Sequence, residues 1–201
     1  DTSYIPPRPV PIGLREKVEN EISTWKQLGI IAPTQSGFNT PLIILKKGDG
    51  SIRISLDARN LNSKIRPDRF PLPSMADIFS KLGERLSGSK NCYISQFDLS
   101  RGYWQVQVSD NDCHKLSFSH NRRHYQANRL LYGISTGPAA FSRIMDEIFG
   151  NNESFLLYLD DLLIIDNDYD KHMENLEFLF SNCIKHGLLL SAKKCALMES
   201  K

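Results

Sequence analysis

Apolar residues recur at helical spacing in three segments of the chain, residues 14–29, 137–150 and 170–187. Each segment predicts an amphipathic helix with one buried face, and the first and last end at glycines. A further helix is expected to begin after prolines in "PLPSMADIFSKL", where Ser74 and Asp77 have the spacing of a capping box. The buried face of the first helix should hold Leu14, Val18, Ile22, Trp25 and Leu28, and that of the helix in 137–150 should hold Phe141, Ile144, Met145 and Ile148.

Short apolar runs bounded by turn residues predict strands elsewhere. In "TPLIILKKGDGSIRISLD" the turn at residues 48–50 precedes an alternation that places Ile52, Ile54 and Leu56 on one face and Arg53 on the other, which predicts a hairpin. Residues 1–13 hold four prolines and are expected to form an extended arm. The other predicted strands are a hairpin in "KLSFSHNRRHYQAN", a strand in "NCYISQFDL", two strands flanking Asp160 and Asp161, and a last strand in "LLLSAKKCAL".

The order of elements predicts the fold class. The later two thirds of the chain run strand, helix, strand, strand, helix, strand, which is typical of a split β-α-β arrangement. Such an arrangement is an antiparallel sheet backed by helices, so the sequence predicts an α+β fold. In that sheet the strand that ends at Asp98 should neighbour a strand of the hairpin that carries Asp160.

Charge is strongly segregated, although the formal net charge is only +2. Residues 115–145 hold five Lys or Arg and no acidic residue, whereas residues 146–177 hold ten acidic residues and one lysine. This suits an enzyme that binds a polyanion and concentrates metal cations at one place. On charge alone, solvated faces are the more common explanation.

Composition limits the class of protein. With 201 residues and 40% hydrophobic content, the chain can bury one substantial core or two small subdomains. No apolar stretch reaches the roughly 18 to 20 residues that cross a bilayer, so no membrane partner is expected. The four cysteines have no metal-ligand spacing and are expected to be reduced thiols. Asp1 stands first and no secretory leader follows, which favours a piece of a longer polypeptide.

Asp160 and Asp161 stand side by side in the apolar segment "ESFLLYLDDLLIID", where burial and repulsion both cost free energy. If Asp98 reaches the same end of the sheet, three carboxylates converge, and cations such as Mg²⁺ would offset their repulsion. A bare Asp-Asp pair is more often the polar corner of a hairpin. Here, however, no Gly, Asn or Pro is present to form a tight turn, so Leu159 is expected in a sparsely populated conformation of the kind found at functional sites.

Six ordered blocks resemble one family. "YLDDLLI" resembles the Tyr-x-Asp-Asp box of reverse transcriptases, and "FDLSRGYWQVQV" resembles the preceding aspartate motif of the gypsy-type LTR retrotransposon enzymes. The other blocks are "GIIAPTQSGFNTPLIILKKGDGSIRISLDARNLN", "RFPLP", "LLYGISTGPAAFSRIM" and "HGLLLSAKKC". Together they run through nearly the whole chain.

The resemblance implies the fingers and palm of an RNA-directed DNA polymerase that adds deoxynucleotides to a primer 3′-end on an RNA or DNA template. Residues 1–69 and 106–136 would be fingers, residues 70–105 and 137–201 would be palm, and a thumb and RNase H domain would be absent from this chain. The implied partners are template-primer, deoxynucleoside triphosphates, and the RNase H, protease and integrase of a Pol polyprotein. The implied location is a cytoplasmic retrotransposon particle.

The resemblance also implies roles at the metal centre. Asp98 and Asp160 would bridge two Mg²⁺ ions, which Mn²⁺ could replace, with Asp161 as a supporting ligand and the carbonyl of Leu99 near one ion. Lys194 lies in the block that would protonate the leaving pyrophosphate. Lys193 competes for that place, and a solvent-exposed lysine pair is an equal alternative.

For the incoming nucleotide, the resemblance implies that Lys47 and Arg53 hold the triphosphate. Arginine forks onto phosphate oxygens, while lysine acts as a mobile point charge. Tyr103 would exclude a 2′-hydroxyl by its bulk, and Tyr132 and Gly133 would form the turn before the helix that lines the pocket. The alternatives are solvated hairpin charges and an ordinary core aromatic.

A basic hairpin tip is the predicted contact with nucleic acid, through Arg122 and Arg123, with Arg129 nearby in the sequence. His120 and His124 flank the two arginines at a spacing that also occurs in metal sites. A tip that faces a phosphate backbone is the favoured interpretation.

Three places depart from the family pattern: Ala58, Thr136-Gly137 and Ser191-Ala192. They bear on the fit of the fingers and of the following helix, and leave the metal ligands unchanged. The competing hypothesis is a domesticated or inactive copy that survives as a nucleic-acid-binding module, and the intact site residues argue against such decay. A nucleotide cyclase with a similar palm would leave the fingers blocks unexplained.

Overall fold

The computed structural model describes residues 3–87 and 92–200. Its helices are α1 (Arg15–Gln27), α2 (Arg59–Asn62), α3 (Met75–Ser87), α4 (Asp110–Cys113), α5 (Gly137–Phe149) and α6 (Tyr169–His186). Its strands are β1 (Ile31–Pro33), β2 (Leu42–Lys46), β3 (Ile52–Leu56), β4 (Tyr93–Asp98), β5 (Ser117–His120), β6 (Arg123–Ala127), β7 (Phe155–Tyr158), β8 (Asp161–Asp166) and β9 (Ala196–Ser200).

The chain divides into two compact units. The first comprises Asp1–Pro67 and Tyr103–Gly137, and the second comprises Asp68–Gly102 and Pro138–Lys201. Each unit therefore draws on two separate stretches of the sequence.

The first unit is built on the buried face of α1. Val18, Ile22 and Trp25 are removed from solvent as predicted. The prediction for Leu28 is wrong, since its side chain is 58% exposed. The helix ends before it, Gly29 turns the chain with a φ of +67°, and Ile30 enters the core instead.

Two antiparallel sheets complete this unit, a three-stranded sheet in the order β1-β6-β5 and the hairpin of β2 and β3. Both predicted hairpins are confirmed. Ile54 and Leu56 face the core and Ile52 is partly buried, while Arg53, which lies between Ile52 and Ile54, is exposed, as the alternation predicts. The proline-rich arm is pinned by fully buried Asn39, whose backbone exchanges hydrogen bonds with Ser3 and Ile5.

The second unit contains a four-stranded antiparallel sheet in the order β7-β8-β4-β9. Helix α6 packs on β8, and α3 packs on β7 and β8. The predicted α+β fold, with its antiparallel sheet backed by helices, is confirmed, and the strand that ends at Asp98 does neighbour β8. The last strand begins only at Ala196, because residues 188–195 first run beside the end of β4, where Leu190 bridges to Leu99 and Ser100 donates to the carbonyl of Leu189 at 2.8 Å.

The helix ends of the second unit follow local rules. Ser74 accepts a hydrogen bond from the backbone of Asp77 at 3.1 Å and donates its hydroxyl to the Asp77 carboxylate at 2.7 Å, so the predicted cap forms. Helix α6 is capped at its N-terminus by Asp168, whose side chain accepts from the backbone of Lys171, and at its C-terminus by Gly187 with a φ of +67°.

The buried stripe of α5 differs from its prediction. Phe141 and Met145 are buried, whereas Ile144 and Ile148 are only partly buried. Phe149 takes the next place in the stripe, four residues after Met145, and stacks on Phe155 with ring centroids 5.5 Å apart.

The remaining composition-based expectations concern thiols and membranes. None of the four cysteines is in a disulfide, in agreement with the predicted reduced thiols, and Cys92, Cys113 and Cys183 are buried while Cys195 is partly exposed. Within the part of the chain that the structure describes, no helix is both long and apolar enough to cross a bilayer.

Candidate active site

The register of β4 and β8 brings two of the three predicted carboxylates together. Asp98, the last residue of β4, is the direct antiparallel partner of Asp161, the first residue of β8. Asp161 is also paired with Tyr158 at the end of β7, so Asp160 lies in the turn between β7 and β8. Asp98, Asp160 and Asp161 therefore share one end of the sheet.

The turn that carries Asp160 is strained, as predicted from its lack of turn residues. Leu159 has a φ of +52°, a conformation that costs a residue with a side chain roughly 1 to 2 kcal/mol. The backbone N–H of Leu99 donates to the carbonyl of Asp160 at 3.1 Å, which ties the turn to the end of β4. The strain is thus held in place by the neighbouring strand, and it falls beside the candidate carboxylates.

Gly102 makes room for Asp160, a role that the sequence reasoning missed. A Cβ atom on Gly102 would lie 3.1 Å from the Cβ of Asp160 and 3.2 Å from the Cζ of Phe141. Both distances are tighter than ordinary contacts, so a larger residue would press on Asp160 or on the ring. The only sequence signal is a glycine four residues after Asp98.

Lys194 reaches the carboxylate cluster. Its ammonium Nζ lies 2.9 Å from Oδ2 of Asp98, at the end of the short 3₁₀ helix Ala192–Lys194. That segment is fixed by the backbone N–H of Ser191, which donates to the carbonyl of Asp98 at 2.8 Å. Of the two lysines that compete in the sequence, Lys194 is the one that the structure pairs with a candidate metal ligand.

The charges at this end of the sheet shift two pKa values. The hydrogen bond to the Asp98 carboxylate raises the pKa of Lys194 above its ordinary value, and the nearby Asp160 and Asp161 act in the same direction. Partial desolvation raises the pKa of Asp161, and the carboxylates of Asp160 and Asp98 add to the rise. The cluster therefore holds excess negative charge that a bound cation would relieve.

The donor set suits Mg²⁺ in its chemistry. Among residues 3–87 and 92–200, no three His, Cys, Asp or Glu side chains are arranged as a ready-made metal site. Mg²⁺ does not need one, because proteins usually bind it through one or two carboxylates with phosphates and waters supplying the rest. Asp98, Asp160 and Asp161 are three carboxylates at one end of the sheet, so the residues present fit such an ion.

The first unit brings three predicted nucleotide-binding residues into contact. The guanidinium of Arg53 lies 5.1 Å from the centre of the Tyr132 ring, and the rings of Tyr132 and Tyr103 have centroids 5.0 Å apart. Lys47 closes the turn of its hairpin through backbone hydrogen bonds with Gly50 and Ser51, and its side chain is exposed. The contacts described for Arg53, Tyr132 and Tyr103 do not include Lys47.

Gly133 is fixed by a close backbone approach. Its φ is +110°, and a Cβ atom there would lie 2.1 Å from the carbonyl oxygen of Leu56. The backbone of Leu56 in turn donates to the carbonyl of Tyr132 at 2.8 Å. Only glycine fits, so the turn at 132–133 is bound to the end of β3.

The basic tip lies in the turn between β5 and β6. Asn121 and Arg122 have φ values of +47° and +60°, as a two-residue hairpin turn requires, and Arg122 and Arg123 are exposed. His120 is buried, and its Nε2 lies 2.9 Å from a carboxylate oxygen of Glu19. Among the described residues, neither histidine belongs to a group of three or more His, Cys, Asp or Glu side chains placed to hold a metal ion.

Comparison with known proteins decides the family. The family model described as "Reverse transcriptase (RNA-dependent DNA polymerase)" matches residues 44–201. The chain belongs to the reverse transcriptase family. The predicted resemblance to this family is confirmed.

Two relatives of this reverse transcriptase chain are named as Pol polyproteins of transposons. The retrovirus-related Pol polyprotein from transposon opus of Drosophila melanogaster is 29% identical over 100% of the chain. The corresponding polyprotein from transposon 297 of the same organism is 31% identical over 92% of the chain. The chain spans only 20% and 18% of the length of these two proteins.

Solved structures share the fold of this reverse transcriptase chain. A crystal structure of Prototype Foamy Virus protease-reverse transcriptase covers 100% of the chain with a TM-score of 0.86 and 21% identity, over 28% of its own length. The foamy viral protease-reverse transcriptase in complex with an RNA/DNA hybrid covers 98% of the chain with a TM-score of 0.84 and 23% identity, over 26% of its own length. The α+β architecture of a polymerase fingers and palm is thus shared.

Proposed function

We propose that this chain is the fingers and palm of an RNA-directed DNA polymerase, with the first unit as fingers and the second as palm. The observation that carries the proposal is the pairing of Asp98 with Asp161 at the sheet end where Leu159 holds Asp160 in a strained turn. A polar hairpin corner that served only as a turn would gain nothing from that strain. Its presence beside three carboxylates supports a site for phosphoryl transfer.

The proposed metal ligands are Asp98, Asp160, Asp161 and the carbonyl of Leu99. When bound, two Mg²⁺ ions, or Mn²⁺ in their place, lower the pKa of a primer 3′-hydroxyl and neutralise charge on the triphosphate. Lys194 is the proposed proton donor to the leaving pyrophosphate. Its bond to Asp98 raises its pKa above the ordinary value and keeps its ammonium beside the carboxylates.

The proposed substrate is a deoxynucleoside triphosphate. Arg53 would bind its phosphates bidentately, Lys47 would add a mobile positive charge, and Tyr103 would stand against the sugar and leave no room for a 2′-hydroxyl. Tyr132 and Gly133 would line the same pocket. The contact of Arg53 with Tyr132 and of Tyr132 with Tyr103 supports this assignment of neighbouring subsites.

The proposed polymer is a template-primer of RNA or DNA. A groove of about 1030 Å³ in the first unit is lined by Arg8, Arg15, Arg122, Arg123 and His124, together with the acidic Glu16 and Glu19. Exposed arginines at the hairpin tip favour phosphate contacts. Arg129 follows β6, and its guanidinium donates to the carbonyl of Gln105 at 3.4 Å. If Arg129 also binds a phosphate, its guanidinium would have to make both contacts.

The relatives suggest the setting of this activity. Because they are Pol polyproteins several times longer than the chain, we propose a parent protein that also carries RNase H, protease and integrase and works in a cytoplasmic retrotransposon particle. In that setting the chain would synthesise DNA during retrotransposon replication.

Primer extension tests the proposed function. With oligo(dT) on poly(rA), Mg²⁺ and deoxythymidine triphosphate, we expect the wild-type chain to extend the primer and Asp160→Asn to abolish extension while its thermal unfolding is preserved. Asp170→Asn is the matched control, since this aspartate is exposed on the first turn of α6, away from the sheet end. Full activity of Asp160→Asn would overturn the assignment.

Calorimetry separates the enzyme from a binding module. We expect the wild-type chain to take up deoxythymidine triphosphate on template-primer only when Mg²⁺ is present. Binding of template-primer with no such metal-dependent uptake would mean that the chain acts as a nucleic-acid-binding module instead.

A further inference from the structure

Tyr132 contacts both the arginine and the tyrosine to which the proposed function gives separate tasks. The Arg53 guanidinium lies over its ring at 5.1 Å, and the Tyr103 ring lies 5.0 Å away at an interplanar angle of 32°. A guanidinium over a tyrosine face is held by the ring quadrupole, and tilted aromatic pairs are also attractive. Arg53 is otherwise an exposed residue on a long, flexible stem.

Three hydrogen bonds fix the backbone around Tyr132. Its carbonyl accepts from the N–H of Leu56 at 2.8 Å, and Leu56 belongs to β3, the strand that carries Arg53. The carbonyl of Gly133 accepts from Nδ2 of Asn62 at 2.9 Å, and Oδ1 of the same side chain accepts from the N–H of Ser135 at 2.9 Å. The ring and the arginine are therefore presented from two segments locked to each other.

We propose that Tyr132 is a positioning residue that orients Arg53 for the triphosphate and supports Tyr103 against the sugar, so that one ring sets both affinity and sugar selectivity. The inference rests on the proposed function and deepens it. In this view Tyr132 acts on the nucleotide through its two neighbours. A substitution that removes the ring should weaken phosphate binding and sugar discrimination together.

Inorganic tripolyphosphate isolates the phosphate subsite, since it has neither base nor sugar. We expect Tyr132→Leu to bind it about two- to fivefold more weakly than the wild-type chain, the factor that an exposed cation–π contact supplies. Tyr132→Phe keeps the ring face and should restore the affinity. Tyr169→Leu removes a half-exposed tyrosine of the second unit and is the control for loss of an unrelated ring.

A double-mutant cycle distinguishes positioning from direct contact. In an Arg53→Gln background, Tyr132→Leu should cost no further tripolyphosphate affinity, because its effect passes through Arg53. A loss of the same size in both backgrounds would overturn the inference, as would Tyr132→Leu binding like the wild type.

Sugar selectivity gives the second readout. In calorimetric titrations with template-primer and Mg²⁺, we expect Tyr132→Leu to reduce the preference for deoxythymidine triphosphate over its ribose counterpart, and Tyr132→Phe to keep that preference. If Tyr132→Leu weakens tripolyphosphate binding but leaves the preference for deoxyribose unchanged, Tyr132 does not support Tyr103 and that half of the inference fails.

A measurement without substrate keeps the inference separate from the proposed function. The side-chain N–H resonance of Arg53 should be shifted upfield by the Tyr132 ring current in the wild type and in Tyr132→Phe, and should lose that shift in Tyr132→Leu. A wild-type chain that shows the shift but takes up no deoxythymidine triphosphate on template-primer with Mg²⁺ would refute the proposed function and leave the ring contact in place. A wild-type chain that binds tripolyphosphate without the shift would refute the positioning role.

Discussion

The hydroxyl of Ser95 and Nε2 of His172 lie 2.8 Å apart, and both side chains are completely buried. Nδ1 of the same imidazole lies 2.9 Å from Oδ2 of buried Asp166, and Ser95 Oγ accepts the backbone N–H of Met198 at 3.1 Å. Because the Asp166 carboxylate can only accept, Nδ1 carries a proton, and Nε2 shares a hydrogen bond with the Ser95 hydroxyl. One hydrogen-bonded chain thus joins β4, β8, β9 and α6.

Removal of His172 should be costly. We expect His172→Ala to lower the free energy of unfolding by about 3 kcal/mol or more, because Ser95 and Asp166 would both lose a buried partner. Urea denaturation measures this, with His186→Ala at the exposed end of α6 as a control expected within about 0.5 kcal/mol of wild type. A cost below about 1 kcal/mol would show that the network adds little to stability.

Asp57 should make the stability of the chain pH-dependent. A hydrogen bond from Arg59, helped by Arg8, lowers the pKa of this 5% exposed carboxylate from 3.8 to about 2. Because the folded-state pKa lies below the unfolded one, its stabilisation is present above about pH 4 and is lost as the pH falls towards 2. We expect Asp57→Asn to cost about 2 kcal/mol at pH 6 and progressively less below pH 4. A cost independent of pH from 6 to 2.5 would contradict this.

Gly102→Ala should impair activity more than folding. The added methyl would press on Asp160 and Phe141, and small misplacements of reacting groups cost up to about a hundredfold in rate. We expect primer extension to fall roughly ten- to a hundredfold with cooperative thermal unfolding retained. Gly83→Ala, inside α3 with open space around it, should instead stabilise the chain by up to about 1 kcal/mol and leave extension unchanged.

The two adjacent lysines should differ sharply. Lys194→Gln removes the ammonium that contacts Asp98, and loss of a general acid typically slows a reaction by about a hundredfold or more. Since the bond to Asp98 raises the pKa of Lys194, its contribution should persist to alkaline pH, and the alkaline limb of the extension rate should disappear in the variant. Lys193→Gln should extend primers like the wild type. Equal losses in both variants would indicate a general effect of positive charge.

The spacing of apolar residues predicted most helices and strands, because that spacing shows which side chains of one element face the core. The stripe of Val18, Ile22 and Trp25 follows from helical spacing alone, and the strain at Leu159 follows from the lack of turn residues beside it. The error at Leu28 shows the limit of the method. A helix period does not say where the chain turns away from the core.

Long-range pairing could not be read from the sequence. Lys194 and Asp98 are separated by 96 positions, and their contact depends on where residues 188–195 leave the end of β4. His172 lies among acidic residues in a helix whose pattern gives no sign that its imidazole is buried against Ser95. Gly102 likewise is recognised only through the atoms that a side chain would meet.

The fit of Gly133 against Leu56 bears on how inherited copies of such a gene would lose function. A copy with any other residue at position 133 would displace Tyr132 even if Asp98, Asp160 and Asp161 were all intact, because the backbone leaves no space for a side chain. A genomic survey that counts copies by their aspartates alone would score that copy as competent. A survey that also reads codon 133 would distinguish copies that encode a competent enzyme from copies that do not more reliably than the three aspartate codons alone.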